Sequence, residues 1–74
     1  MAIKVRDTRI DGDVGIMILE CDTFAEAISK EAQTLAWNSR KELGIPVNAC
    51  NPPRAYYDEG ICKYCARFEM THVW

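Results

Sequence analysis

The sequence IDGDVGIMILECDTFAE, residues 10–26, contains in order a turn, a strand and the start of a helix. Asp11 and Gly12 form the dipeptide that most often supplies the positive backbone φ of a tight hairpin turn. Apolar residues alternate on both sides of it, which is typical of paired strands. We therefore predict an antiparallel hairpin with a two-residue loop at these positions, which pairs Val5 with Ile18.

The second strand of this hairpin is apolar on both faces, so the sequence offers two candidate surfaces for the core. Ile16 and Ile18 share one face with Val5, and we expect a helix to cover this continuous apolar surface. The opposite face is mixed, because basic residues of the first strand lie beside its apolar side chains. It contains Met17, Leu19 and Cys21 together with Lys4 and Arg6.

The helix is predicted from a capping box in residues 23–26. The Thr23 hydroxyl can accept from the backbone N–H of Glu26, whose carboxylate can accept from the backbone N–H of Thr23. Apolar residues then recur at helical spacing until Gly44, where a glycine followed by a proline ends the pattern. The prediction is one amphipathic helix, Phe24–Leu43, with a buried stripe of Phe24, Ile28, Ala32, Leu35, Ser39 and Leu43.

The rest of the chain reads as a loop and a strand. Residues 45–61 contain all three prolines of the sequence and are predicted to form a loop. Residues 67–74, RFEMTHVW, alternate large apolar and polar side chains, as a strand does. The whole chain, residues 1–74, is therefore predicted to be one α+β domain of ββα-loop-β order. A three-stranded antiparallel sheet packs on one helix, and a zinc ion can serve as an additional staple.

Composition narrows the class of protein. The 74 residues are 49 % hydrophobic and 27 % charged, as in an ordinary globular domain, and the longest apolar run is too short to span a bilayer. A chain of this size buries only about 60 % of its unfolded surface, so it often needs a metal, disulfides or a second subunit. We read no secretory signal and expect the reducing cytoplasm. The net charge of −2 argues against general nucleic-acid binding.

The four cysteines suggest three alternatives. Cys62 and Cys65 form a C-x-x-C knuckle, and Cys50 lies in the preceding loop, so three thiolates could bind Zn²⁺ with Cys21 or His72 as the fourth ligand. Alternatively, all four thiols are reduced and pack as small hydrophobic side chains. Disulfide bonding or a C-x-x-C redox activity is the third alternative.

Several side chains are of the types that are enriched at binding interfaces, which predicts a binding function. Trp37 projects from the polar side of the predicted helix, where either the loop after Gly44 or the C-terminus covers it or it anchors a partner. Arg, Tyr and Trp dominate interface energetics. Catalytic motifs are not found, so we expect a non-enzymatic protein–protein interaction module, for which a homodimer is one form of partner. The predicted partner-binding residues are Trp37, Arg54, Tyr56, Tyr57, Lys4 and Arg6. The alternative is a zinc-stabilised nucleic-acid-binding module that uses Arg54, Tyr56, Lys63 and Arg67.

The segment GIMILECDTFAEAISKEAQTLAW, residues 15–37, belongs to a hairpin that leads through a capped turn into an amphipathic helix. With a closing strand, this organisation resembles small phage-encoded inhibitors, including some type I-F anti-CRISPR proteins, over roughly residues 1–43. The resemblance implies a protein that binds a nucleic-acid-processing complex of the host, in the host cytoplasm, and inhibits it by occupying a surface.

Overall fold

The computed structural model describes residues 3–74 and has an α+β fold in which a five-stranded antiparallel sheet packs on one main helix. The predicted class and antiparallel pairing are confirmed, but the sheet has two more strands than predicted, and a zinc-stapled core is not what the structure shows. No helix within residues 3–74 has the length and apolar character needed to cross a membrane. The elements are β1 Lys4–Asp11, β2 Val14–Cys21, α1 Phe24–Ala27, α2 Lys30–Asn38, a 3₁₀ helix Arg40–Leu43, β3 Ala49–Cys50, β4 Arg54–Asp58 and β5 Lys63–Thr71.

The β1–β2 hairpin forms as predicted, but its loop lies one residue later in the chain. Asp11 pairs with Val14, so the loop is Gly12–Asp13. The glycine is then the first loop residue, with φ 63°, a position that favours glycine in type II′ turns. The predicted loop position and pairing are therefore wrong, and Val5 pairs with Leu19.

A bulge in β1 determines which face of the hairpin is buried. The register shifts between Val5 and Asp7, so that Arg6 is an extra residue without a partner on β2. The shift moves Val5 to the side of Leu19 and turns Lys4 to the opposite face. Without the bulge, side-chain alternation would direct Lys4 and Arg6 at the core.

The core therefore lies on the face that the sequence predicted to be mixed. Met17 pairs with Phe68 and Leu19 pairs with Ala66, and all four side chains are fully buried. The predicted Ile16–Ile18 face is on the other side of the sheet from the helices. Since β2 is apolar on both faces, its own pattern does not distinguish the two. The buried core residues are Met17, Leu19, Cys21, Ala27, Ala32, Ala36, Leu43, Ala66, Phe68 and Met70.

The predicted single helix is interrupted at Ser29. The capping box forms as predicted, with Thr23 and Glu26 exchanging both hydrogen bonds, but α1 then ends after one turn. The Ser29 hydroxyl donates to the Glu26 carbonyl at 2.6 Å and accepts from the Ala32 N–H at 3.2 Å, which caps the start of α2. Gly44, in the left-handed conformation, ends the helical segment as predicted.

The interruption changes which helical side chains face the sheet. Phe24 and Ile28, predicted to be buried, are 51 % and 49 % exposed, whereas Ala32 and Ala36 are fully buried. These small side chains let α2 approach the sheet closely. Leu43 extends this contact, since a Cβ added at Gly15 would lie 2.6 Å from its Cδ1 atom.

The predicted loop 45–61 contains an edge strand that is broken by two prolines. Ala49 pairs with Thr71, and Arg54 pairs with Arg67, so one extra residue is accommodated between the two pairs. Pro52 and Pro53 lie in this break between β3 and β4. The break is at the edge of the sheet, where the lack of an N–H on proline removes no hydrogen bond between interior strands. β5 is longer than predicted at its start. The order across the sheet is β1, β2, β5, with β3 and β4 sharing the last edge.

Candidate interaction surfaces

The sheet face opposite the helices, here called the helix-free face, is rich in charged side chains. Strand alternation and the pairing register assign residues to it. It holds four of the predicted partner-binding residues, Lys4, Arg6, Arg54 and Tyr56. Other residues on this face are Asp7 and Arg9 from β1, Ile16, Ile18 and Glu20 from β2, Asp58 from β4, and Cys65, Arg67 and Glu69 from β5.

Several charges on the helix-free face neutralise one another. The hydrogen bond from Arg6 lowers the pKa of the Asp58 carboxyl, and the backbone N–H of Gly60 acts in the same direction. Lys4 and Arg6 are therefore held by carboxylates of the same chain. The three ion pairs are Arg6–Asp58 at 2.8 Å, Arg9–Asp7 at 2.7 Å and Lys4–Glu20 at 3.0 Å.

Tyr56 lies on the edge strand β4 and faces the helix-free side. It pairs with Cys65, which is fully buried, and burial is the main reason that the pKa of the Tyr56 phenol is raised. A shallow cavity of about 260 Å³ opens beside the ring. Its lining is mostly charged and comes from Arg6, Asp7, Arg9, Ile18, Tyr56 and Asp58.

The predicted binding residue Tyr57 lies on the helix side of the sheet, where it belongs to an exposed apolar cluster. Its ring packs edge-to-face on Tyr64 at 5.0 Å, and Phe24 packs edge-to-face on Tyr64 at 6.3 Å. Ile28 follows one helical turn after Phe24. Phe24, Ile28 and Tyr57 are each about half exposed, at 51, 49 and 49 %. We call these four residues, Phe24, Ile28, Tyr57 and Tyr64, the aromatic surface.

Trp37 is half-buried and packs against the core. The Arg40 guanidinium lies over its ring, 4.4 Å from the centroid, and donates to the Trp37 carbonyl. Beside the ring, α2 and the proline break of the edge strand enclose a cavity of about 340 Å³. Its lining residues are Gln33, Trp37, Cys50, Asn51, Pro52, Pro53 and Phe68.

The structure does not bring the predicted zinc ligands together. Cys21 lies in the core, whereas Cys65 lies on the helix-free face. Cys50 pairs with Met70, five residues along β5 from Cys65, which corresponds to about 17 Å at about 3.4 Å per residue. Within residues 3–74, no group of three or more His, Cys, Asp or Glu side chains is arranged to hold a metal ion.

The thiols have different surroundings, and none forms a disulfide. Cys21 is buried, and burial raises its pKa. Cys62 is exposed in the turn before β5, with φ 54°, and its thiol donates to the Glu59 carbonyl. The remaining predicted ligand, His72, packs edge-to-face on Trp74, and its Nδ1 atom is buried without a hydrogen-bond partner.

Sequence reasoning missed three of the four residues of the aromatic surface. Phe24 and Ile28 were assigned to the core because a continuous helix was assumed. Ser29 is the residue that could have indicated the interruption. Serine is a preferred N-cap residue, and its hydroxyl can accept from the backbone N–H three residues later, here that of Ala32. Tyr64 lies before the predicted start of β5, so the sequence pattern does not place it on either face of the sheet.

A comparison of the chain with protein-family models, curated proteins and solved structures finds no significant match. The geometry of the two surfaces is therefore the basis for the functional proposal that follows.

Proposed function

We propose that this protein is a non-enzymatic protein–protein interaction module that binds its partner through the aromatic surface. One observation supports the proposal above the others. Phe24 and Tyr57, each about half exposed, both pack on Tyr64, and the equally exposed Ile28 follows Phe24 by one helical turn. Large exposed apolar patches on small soluble domains commonly mark binding sites.

The aromatic surface is rigid, which favours tight binding. Tyr57 and Tyr64 are directly paired on β4 and β5, and Phe24 is the first residue after the capped Thr23. The two edge-to-face contacts restrict the rings further. Because these side chains are already ordered, a partner that binds them loses little additional conformational entropy.

The class of partner is proposed from the resemblance in chain organisation to small phage-encoded inhibitors. The aromatic surface would bind a protein subunit of a nucleic-acid-processing complex in the host cytoplasm and inhibit it by covering a surface. Contact with protein rather than nucleic acid is supported by the net charge of −2 and by the ion pairs that neutralise Lys4 and Arg6.

The proposal is tested by affinity capture from a bacterial lysate with a surface variant and a matched control. The surface variant is Phe24→Ser with Tyr57→Ser. The control is Ile10→Ser, which removes a side chain of similar exposure, 53 %, at the opposite end of the hairpin. Wild type and control should retain a protein complex that the surface variant loses, with unchanged circular dichroism.

Three results would contradict the proposal. Retention of the complex by the surface variant would show that the aromatic surface is not the contact. Loss of the complex after nuclease treatment would favour the nucleic-acid-binding alternative. In sedimentation experiments, a mass of two chains that falls to one in the surface variant would make a second copy of this chain the occupant.

A further inference from the structure

Two arginines face each other on the helix-free face. Arg54 on β4 and Arg67 on β5 are a directly opposed pair in the antiparallel register. Side chains in such a pair have Cβ atoms about 4.5–5.5 Å apart, and like charges at this position destabilise the sheet. The arrangement therefore has an energetic cost that no local requirement of the strands explains.

The charges of this pair are not balanced within residues 3–74. In the described part of the chain, neither Arg54 nor Arg67 belongs to an ion pair, whereas Arg6 and Arg9 on the same face are both held by carboxylates. The Nε atom of Arg67 is also buried without a hydrogen-bond partner. A shielded N–H of a charged group that lacks an acceptor is costly. The pair therefore lacks a counter-charge, and Arg67 also lacks an acceptor for its Nε–H.

The missing group is an oxyanion. A guanidinium offers its N–H groups in a planar fork that matches the two oxygens of a carboxylate, and two opposed forks can hold one such group between them. We propose that Arg54 and Arg67 form a binding site for an Asp or Glu carboxylate of a partner protein.

The surroundings of the pair favour a carboxylate on a protein over the phosphates of a nucleic acid. Glu69 is two residues from Arg67 on the same strand and face, and Glu20 and Asp58 lie on the same face. A nucleic-acid strand crossing the sheet would bring further phosphates near these carboxylates, whereas a single acidic side chain needs only the space between the two arginines.

This site is independent of the proposed aromatic surface, because the two lie on opposite sides of the sheet. Failure of one proposal therefore leaves the other intact. Occupation of both would make the domain a bridge between two protein segments, one apolar and one acidic.

The experiment is an NMR titration of the full chain that follows the arginine Nε–Hε signals. The probes are a hexaglutamate peptide and hexathymidylate, which carry similar charge, with sodium chloride as the ionic-strength control. Hexaglutamate should shift the signals of Arg54 and Arg67 saturably. The variant Arg67→Gln should weaken its binding about tenfold, the loss expected for one charge-assisted hydrogen-bond pair. Arg9→Gln, on the same face but already ion-paired, should bind like wild type.

Arg67→Lys distinguishes the fork from charge alone, because it retains the positive charge without the planar donor pair. It should recover less than half of the lost affinity. The proposal is overturned if chloride alone produces the same shifts, if Arg67→Gln binds as tightly as wild type, or if Arg9→Gln loses as much affinity. Tighter binding of hexathymidylate than of hexaglutamate would overturn the assignment to a protein carboxylate and make the ligand a phosphodiester.

Discussion

Replacing Phe68 by alanine should destabilise the domain far more than the same change at Phe24, although the helical pattern predicted Phe24 to be buried. These are the only two phenylalanines of the chain, so they form a natural matched pair. Phe68 is fully buried between Met17 and the helices, whereas Phe24 is 51 % exposed in the aromatic surface. The comparison therefore tests whether Phe68 is a core residue and whether the helix interruption leaves Phe24 at the surface.

The expected difference follows from burial. Truncating a fully buried phenylalanine costs about 3–5 kcal/mol, which includes the cavity left behind. Full burial of such a side chain contributes about 1.5–3 kcal/mol. Half of this value, together with a modest edge-to-face contact with Tyr64, predicts about 1–2 kcal/mol for Phe24→Ala. At roughly 0.05–0.15 kcal/mol per residue, the 74 residues have a total stability of about 4–11 kcal/mol. Phe68→Ala should therefore remove a large fraction of it.

Urea unfolding monitored by far-ultraviolet circular dichroism measures both free energies of unfolding. Phe68→Leu is included because it keeps most of the side-chain volume and should leave a readable folded baseline. The expected order of stability is wild type, then Phe24→Ala, then Phe68→Ala. Equal losses at the two positions, or a larger loss at Phe24, would refute the core position of Phe68 and the half-exposed position of Phe24.

Two further predictions concern the helix interruption and the charged face. Ser29→Ala removes the cap of α2 and should lower the free energy of unfolding by about 1 kcal/mol. The Ser39 hydroxyl caps no helix, so Ser39→Ala should change the free energy of unfolding little. Equal effects of the two substitutions in urea unfolding would contradict the cap. The hydrogen bond from Arg6 lowers the pKa of Asp58 in the folded state. The ionised carboxylate therefore stabilises the fold fully at pH values above the ordinary carboxyl pKa of about 3.9. This contribution to the free energy of unfolding is lost as the pH falls through the lower pKa of the folded state. Asp58→Asn, which can keep the acceptor for the Gly60 N–H, should therefore be less stable than wild type at neutral pH and converge with it in acid; a stability difference that does not vary with pH would exclude the ion pair as its cause.

The two candidate surfaces differ in how far they could be predicted. Residue type alone grouped Arg54, Tyr56 and Tyr57 as one contact segment. Their separation onto opposite faces follows from strand alternation in β4, which was predicted to be a loop. The opposition of Arg54 and Arg67 depends on the one-residue shift at Pro52 and Pro53, and a register of this kind is set by pairing between distant segments.

Features whose causes are local could be predicted from the sequence. An Asp-Gly turn signal is sufficient for a hairpin, a Thr-x-x-Glu box for a helix start at Phe24, and Gly44 followed by a proline for the end of the helical segment. Each of these depends on backbone groups within a few residues of one another, so no distant partner is needed to specify them.

The tertiary structure decided which apolar surface became the core. β2 is apolar on both sides, and its burial required a choice between Ile16 with Ile18 and Met17 with Leu19. The bulge at Arg6 favours the second pair because it keeps Lys4 and Arg6 out of the core, and the small side chains of α2 and the apolar face of β5 favour it because they pack against Met17 and Leu19. These contributions come from segments far apart in sequence. They act only after the strands have paired, so the pattern of one strand cannot reveal them.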